Sequence, residues 1–231
     1  MALDPLPDLV AFQEVWRPAY AELLMTALQS EYFPIDVPRG GALGRLGGLL
    51  VMVHRTGGWN VNGECFAQFE AHAPWLKFWQ GDGLAKKGLQ SIDLDWNGVP
   101  IRLVNTHLQS QYRLDRYVKI RGAQLGELNI AAQEQLAPGT PALIVGDFNT
   151  TPAEPLIPDE FRTWRDLTTE LRETSPKLKT NDTDGWIDYA LLHSGRCRFE
   201  EHVVDLLPSR TGPNNISDHR GLTVRVKLEC P

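Results

Sequence analysis

Apolar positions along this chain fall in short runs separated by polar turns. Residues 9–15 form one such run, which predicts a buried strand ending at Gln13 and Glu14. Pro18 then stands where a helix can start. Tyr20, Leu23, Leu24, Ala27 and Leu28 follow at helical spacing, predicting a helix whose apolar face covers a sheet. Pro34 and Pro38 are expected to end that unit. After a glycine-rich approach, residues 49–53 predict a second buried strand. Ile92, Leu94 and Trp96 alternate, Asn97-Gly98 is a hairpin signal, and residues 101–105 return, delivering Thr106 and His107 at the strand end. Residues 113–136 predict a helix closed by Pro138-Gly139. Residues 142–145 predict a buried strand running into Gly146-Asp147, and residues 186–192 another that carries Asp188. Leu222, Val224, Val226 and Leu228 alternate as a half-buried last strand.

Many strands, a hairpin and a few covering helices predict an α/β architecture of two packed sheets with helices outside. No linker divides the chain, so 1–231 reads as one domain. The polar candidates cluster at strand ends, where a β-sandwich gathers its loops.

Composition narrows this picture only a little. The chain has 231 residues, 42% hydrophobic and 23% charged, enough for a substantial core. Its net charge of -6 argues against a protein that coats nucleic acid. It does not argue against cutting a phosphodiester, because metal ions can supply local positive charge. Cys65, Cys197 and Cys230 are odd in number and lack metal-finger spacing, so free thiols are expected, with one disulfide as the alternative. No apolar run is long enough to span a bilayer. The start of the chain lacks the regions of a signal peptide. The expectation is a soluble protein, cytoplasmic by default.

Hydrolysis of a phosphate ester needs a metal against developing charge, a base for water, an acid for the leaving oxygen and donors for the phosphoryl oxygens. Hard divalent ions take carboxylate oxygens, and histidine carries protons near neutral pH. Glu14 ends an apolar strand, where a carboxylate is wasted unless it binds something. Asp147 and Asn149 follow another buried strand, and Asp218-His219 precede the last one. Singly, a strand-end Glu, an Asx turn and loop decoration explain them. Together, in this order, they do not.

The blocks FQE (12–14), NTHL (105–108), GDFN (146–149), IDY (187–189) and SDH (217–219) resemble the successive signatures of the endonuclease/exonuclease/phosphatase superfamily. The resemblance runs from about residue 9 to 228. It implies a DNase I-like four-layer α/β sandwich of two mixed sheets packed face to face. It also implies Mg²⁺ as cofactor, with Mn²⁺ as an alternative. Residue by residue, Glu14 and Asp218 would belong to the metal site. His107 would contact the scissile phosphate or help the leaving group. Asp147 would orient or deprotonate water, and Asn149 would bind a phosphoryl oxygen. His219 would be the base or the transition-state stabiliser, oriented by Asp188 through its second ring nitrogen. Which of Asp147 and His219 is the base stays open.

GDGLAKKGLQSIDL (81–94), together with NTHLQSQY (105–112), Arg121 and Gln124, is similar to the neutral sphingomyelinase branch. That likeness would place Lys87 near the phosphate; a solvated loop lysine is the plain alternative. Trp75, Phe78 and Trp79 suit a membrane interface or lipid pocket, although such aromatics are more often core. The expected substrate is therefore a phospholipid or small phosphodiester, with peripheral membrane contact. Nucleic acid is the alternative, and a catalytically impaired binding homologue is a third reading. One family feature is absent, since residues 1–8 hold no asparagine-bearing strand ahead of Glu14. The first strand of the sandwich is expected to be missing, and the chain to be truncated at its N-terminus relative to the family.

Overall fold

The computed structural model describes residues 5–74, 84–112, 116–134, 136–154, 161–182, 185–207 and 217–231. Trp75, Phe78, Trp79 and the start of the helix expected from residue 113 lie outside the described residues. The larger sheet contains β4 (Trp59–Gln68), β5 (Gly88–Trp96), β6 (Val99–His107), β7 (Ala142–Asp147), β8 (Arg165–Asp166) and β9 (Asp188–His193). Its order is β4-β5-β6-β7-β9-β8, antiparallel except for the parallel β6–β7 pair. The facing layer is entirely antiparallel and comes in two pieces. One is β1 (Leu9–Phe12), β2 (Tyr32–Asp36) and β3 (Leu50–His54), in the order β1-β3-β2. The other is the hairpin β10 (Arg198–Leu206) with β11 (Leu222–Glu229). The expected face-to-face sandwich is therefore present, but only the larger sheet is mixed.

Alternation along the central strands builds the layers. On β6 and β7, Leu103, Leu143 and Val145 point toward the facing layer, where they meet Leu9, Ala11, Ile35, Val51 and Val53. Val104, Ala142 and Ile144 point the other way, onto Leu125, Leu128 and Ala132 of helix α2 (Val118–Gln133). Leu143 and Val145 also carry the hairpin, through Val224 and Val226. Helix α1 (Pro18–Leu28) covers the outer face of the three-stranded piece, and a short α3 (Thr169–Thr174) follows β8. The order of layers is thus helix, sheet, sheet, helix.

Several local expectations are corrected. Helix α1 does start at Pro18, and Leu24 and Leu28 pack inward as expected, but the buried Ala21 and half-buried Met25 complete that face, while Tyr20, Leu23 and Ala27 are exposed. Both sets have helical spacing, so periodicity alone does not choose between them. Pro34 does not end a unit. It lies inside β2, an edge strand, where a residue without N–H breaks no ladder. Helix α2 starts at Val118, after Tyr117 in a left-handed conformation at φ 51°. Strands β4 and β10 were not expected. Cys197 and Cys230 form a disulfide, contrary to the expectation of free thiols, while Cys65 is free and exposed. The bridge closes the end of the β10–β11 hairpin that carries Arg198 and Glu229.

Cys197 and Cys230 are separated by 33 residues. Closing a loop of that size restricts the unfolded chain by about 2–4 kcal/mol. Cys197→Ala is therefore expected to lower the thermal midpoint, and reductant to lower the parent's midpoint toward the variant's. A midpoint that neither change moves would contradict this role.

Candidate active site

The register of three neighbouring strands sets out the site. His107 ends β6, Asp147 ends β7 and Asp188 begins β9. The pairings His107↔Asp147 and Asp147↔Asp188 put all three in one row across the sheet. Their phase is that of Leu103, Leu143 and Val145, so they point into the sandwich at its rim. The approach is very close there. A Cβ on Gly146 (φ 148°) would stand 2.0 Å from Thr106 O, so only glycine fits before Asp147.

The facing layer supplies the other half. Glu14 follows β1 in a left-handed conformation, φ 60°, and the next peptide is held by Val15 N donating to Gly48 O at 2.8 Å. The buried Arg45 guanidinium donates to Val15 O, Leu49 O and the Asp36 carboxylate. Glu14 Oε1 lies 3.9 Å from His107 Nε2, with its side chain 63% exposed. Asn105, one step back from His107 on the same face, ties the layers together. Its Nδ2 donates to Phe12 O at 3.0 Å, and its Oδ1 accepts from Gln13 Nε2 at 2.7 Å.

His219 enters from the loop before β11. Its Nδ1 faces both oxygens of Asp188, at 3.1 and 2.9 Å, which leaves Nε2 toward Asp147 Oδ2 at 3.8 Å. Asp147 Oδ1 accepts the Asn149 backbone N–H at 2.8 Å. Asn149, at φ 49°, donates from Nδ2 to Asp147 Oδ2 (3.0 Å) and Leu108 O (3.1 Å). Both Nδ2 hydrogens thus have acceptors within the site. Lys87 is buried. Its Nζ donates to His107 Nε2 (2.9 Å), Leu108 O (2.7 Å) and Ser110 Oγ (2.8 Å), so it is no solvated loop lysine.

Charge follows from this packing. Burial holds His107 well below the usual imidazole range, and the adjacent Lys87 and His219 add to that. Its Nε2 is then an acceptor for Lys87 and the ring is neutral. Burial also raises Asp147, to about 7; repulsion from Asp188 adds to this, and His219, Lys87 and the Asn149 N–H oppose it. Burial of His219 disfavours its cation, but the Asp188 hydrogen bond and the charges of Asp188, Asp147 and Asp218 outweigh that and push it up to about 9.

Six of the eight residues singled out in the sequence thus come together directly: His107, Asp147, Asn149, Asp188, His219 and Lys87. Glu14 reaches the group through His107. Asp218 stands beside it on the His219 loop, its Oδ2 accepting from Asn181 Nδ2 at 3.1 Å. No described contact joins Asp218 to Glu14. Among the described residues no three His, Cys, Asp or Glu side chains form a ready-made metal cage. The donor set fits a hard cation that keeps most of its waters and takes one or two carboxylates. It does not fit a closed nitrogen or thiolate site.

Sequence reasoning assigned no role to Asn105, Gln13, Ser110 or Asn181. Asn105 and Gln13 lie inside the quoted blocks, so that signal was present. Asn181, which forms a β-bridge with His219, has no such mark in the sequence.

The folded protein holds the His219 proton up to about pH 9, whereas an unfolded histidine releases it near 6.5. The associated stability is complete below pH 6.5 and is lost as pH rises through 9. His219→Gln in chelator-treated protein is therefore expected to cost about 1–3 kcal/mol more at pH 6 than at pH 9.5. Denaturant unfolding at both pH values measures this, and equal costs would contradict the assigned ion pair.

Known proteins resemble this chain in family and in fold. Residues 2–219 match the model of the Endonuclease/Exonuclease/phosphatase family. At the sequence level no curated protein matches the chain. Among solved structures, SmcL is similar at TM-score 0.74 and 17% identity, over 96% of this chain and 86% of that one. A truncated Caenorhabditis elegans TDP2 is similar at TM-score 0.69 and 21% identity, over 95% and 84%. D. rerio TDP2 complexed with a single-strand DNA product is similar at TM-score 0.69 and 17% identity, over 95% and 85%. These likenesses show the fold, and the match of the family model over nearly the whole chain shows that the protein belongs to the Endonuclease/Exonuclease/phosphatase family.

Proposed function

We propose that this protein is a divalent-metal-dependent phosphodiesterase that uses the His107–Asp147–Asp188 row and His219. The observation that carries the reading is the orientation of His219. Asp188 takes Nδ1, and Nε2 is left facing Asp147 across 3.8 Å. A carboxylate that fixes an imidazole and leaves one nitrogen toward a second carboxylate is an arrangement for proton and charge handling.

The charge states suggest a division of labour. His219, raised to about 9, is a cation at neutral pH and suits stabilisation of the phosphoryl oxygens. Asp147, raised to about 7, suits acceptance of a proton from attacking water. His107 is neutral, and Lys87 beside it supplies positive charge close to the leaving oxygen. Asn149 braces the Asp147 loop against Leu108. Glu14 would hold Mg²⁺ or Mn²⁺, with Asp218 as a second carboxylate. A bound cation would neutralise phosphoryl charge and ease ionisation of the attacking water.

For the substrate we favour a phospholipid or small phosphodiester. The support is the likeness of residues 81–94 and 105–112 to the sphingomyelinase branch and the net charge of -6. The single-strand DNA product in the D. rerio TDP2 structure favours a nucleic-acid alternative.

Turnover is expected to vanish in chelator and return with Mg²⁺, and His219→Ala to lower kcat by about 10³-fold with the fold intact. Phosphocholine release from sphingomyelin vesicles, run beside plasmid nicking, separates the substrates. Turnover that persists in chelator would end the metal reading, and nicking without phosphocholine release would end the lipid reading.

A further inference from the structure

Helix α2 buries an arginine and a glutamine at the start of its apolar face. Arg121, Gln124, Leu125, Leu128 and Ala132 share one stripe, and Arg121 is 0% exposed. A buried guanidinium is tolerated only when it is paired and hydrogen-bonded. The partners of Arg121 lie on both segments that leave the catalytic strands. Nη2 donates to the two carboxylate oxygens of Glu154, each at 2.8 Å. Nη1 donates to Gln109 O at 3.3 Å and to Arg116 O at 2.6 Å. Gln124 Oε1 adds a bond from Gln109 N at 2.8 Å.

These contacts close a ring beside the site. Glu154 Oε2 accepts the Thr150 hydroxyl at 2.8 Å, and Thr150 follows Asn149. Asn149 Nδ2 donates to Leu108 O at 3.1 Å, and Leu108 lies between His107 and Gln109. The path from Leu108 through Gln109, Arg121, Glu154, Thr150 and Asn149 thus returns to Leu108. Arg121 bonds to both the segment after His107 and the segment after Asn149. The planar guanidinium holds Nη1 and Nη2 at a fixed angle, so Nη2 on Glu154 and Nη1 on Gln109 O fix direction as well as distance. An ammonium in its place would keep the charge and lose the geometry.

We infer that Arg121, with Glu154 as its counter-ion, is a positioning residue that sets the spacing between the His107 and Asn149 segments. The inference rests on the hydrolytic reading above for its kinetic consequence only. A displacement of about 1 Å in a catalytic group can cost about 10²-fold in rate.

The test uses the full chain with bis(p-nitrophenyl) phosphate and Mg²⁺, each protein assayed well below its own thermal midpoint. Arg121→Met is expected to lower kcat by about 10²-fold with KM within about threefold. Arg121→Lys should fall between parent and Arg121→Met. Arg121→Met combined with Glu154→Gln should be no slower than Arg121→Met alone, because both break one ring. A lower midpoint with kcat within about threefold of parent would reduce Arg121 to a packing role and overturn the inference. If Arg121→Met does not fold, Arg121→Lys and Glu154→Gln decide. Both should lower kcat at constant KM, and an unchanged kcat in both overturns it. A second readout does not need turnover. The Asn149 side-chain amide resonances should move toward free-amide positions in Arg121→Lys and Glu154→Gln, and resonances that stay in place overturn the inference. A parent without turnover would count against the hydrolytic reading, while the amide resonances would still decide the role of Arg121.

Discussion

Two carboxylates stand directly across from each other at the rim of this protein. Asp147 and Asp188 are register partners on β7 and β9, both facing inward and both largely buried. Like charges so placed repel, and burial sharpens the repulsion. The fold answers with His219, whose Nδ1 takes Asp188 while Nε2 faces Asp147. The Asn149 backbone N–H adds a donor to Asp147. Every other member of the site is placed with respect to this pair. It requires three strands to end at one level, a loop to bring His219 over them, and glycine before Asp147.

The pair also couples the two layers. Asp147 and Asp188 belong to the larger sheet, whereas His219 leads into the hairpin and Glu14 leaves the three-stranded piece. The two pieces of the facing layer rest on the same side chains, Leu143 and Val145, and are not paired with each other among the described residues. Their alignment at the rim therefore depends on packing and on a few polar ties. Asn105 bonds to Phe12 O and Gln13, Asn181 bonds to Asp218, and Asp188 bonds to His219. The candidate site and the alignment of the layers at the rim share the same few hydrogen bonds.

Much of this was legible locally because the central strands are regular. The runs at 101–105 and 142–145 announce their strands, and period-two alternation carries the inward phase on to His107 and Asp147. Asn97-Gly98 marks its hairpin and takes up positive φ at both residues. Edge and surface elements left weaker marks. Strand β4 is mostly exposed on both faces at the edge of its sheet, so its sequence does not alternate. Strand β10 carries Glu200, Glu201 and His202 through a register shift near its start. In α1 two apolar stripes were available, and contact with β2 and β3 chose between them.

The sequence alone determined the chemistry on offer: which carboxylates, imidazoles and amides stand at strand ends, and in what order. It could do so because strand ends and alternation are local properties of the chain. Only the tertiary structure decided which groups touch. The Asp188–His219 bond spans 31 residues and the Gln13–Asn105 bond 92, and no local pattern encodes such distances. Tertiary contact made Lys87 a buried partner of His107, closed Cys197 onto Cys230 and gave Arg121 its two loops to hold. It also set the charges, because burial and neighbouring groups, which depend on packing, move Asp147 and His107 away from their ordinary ranges.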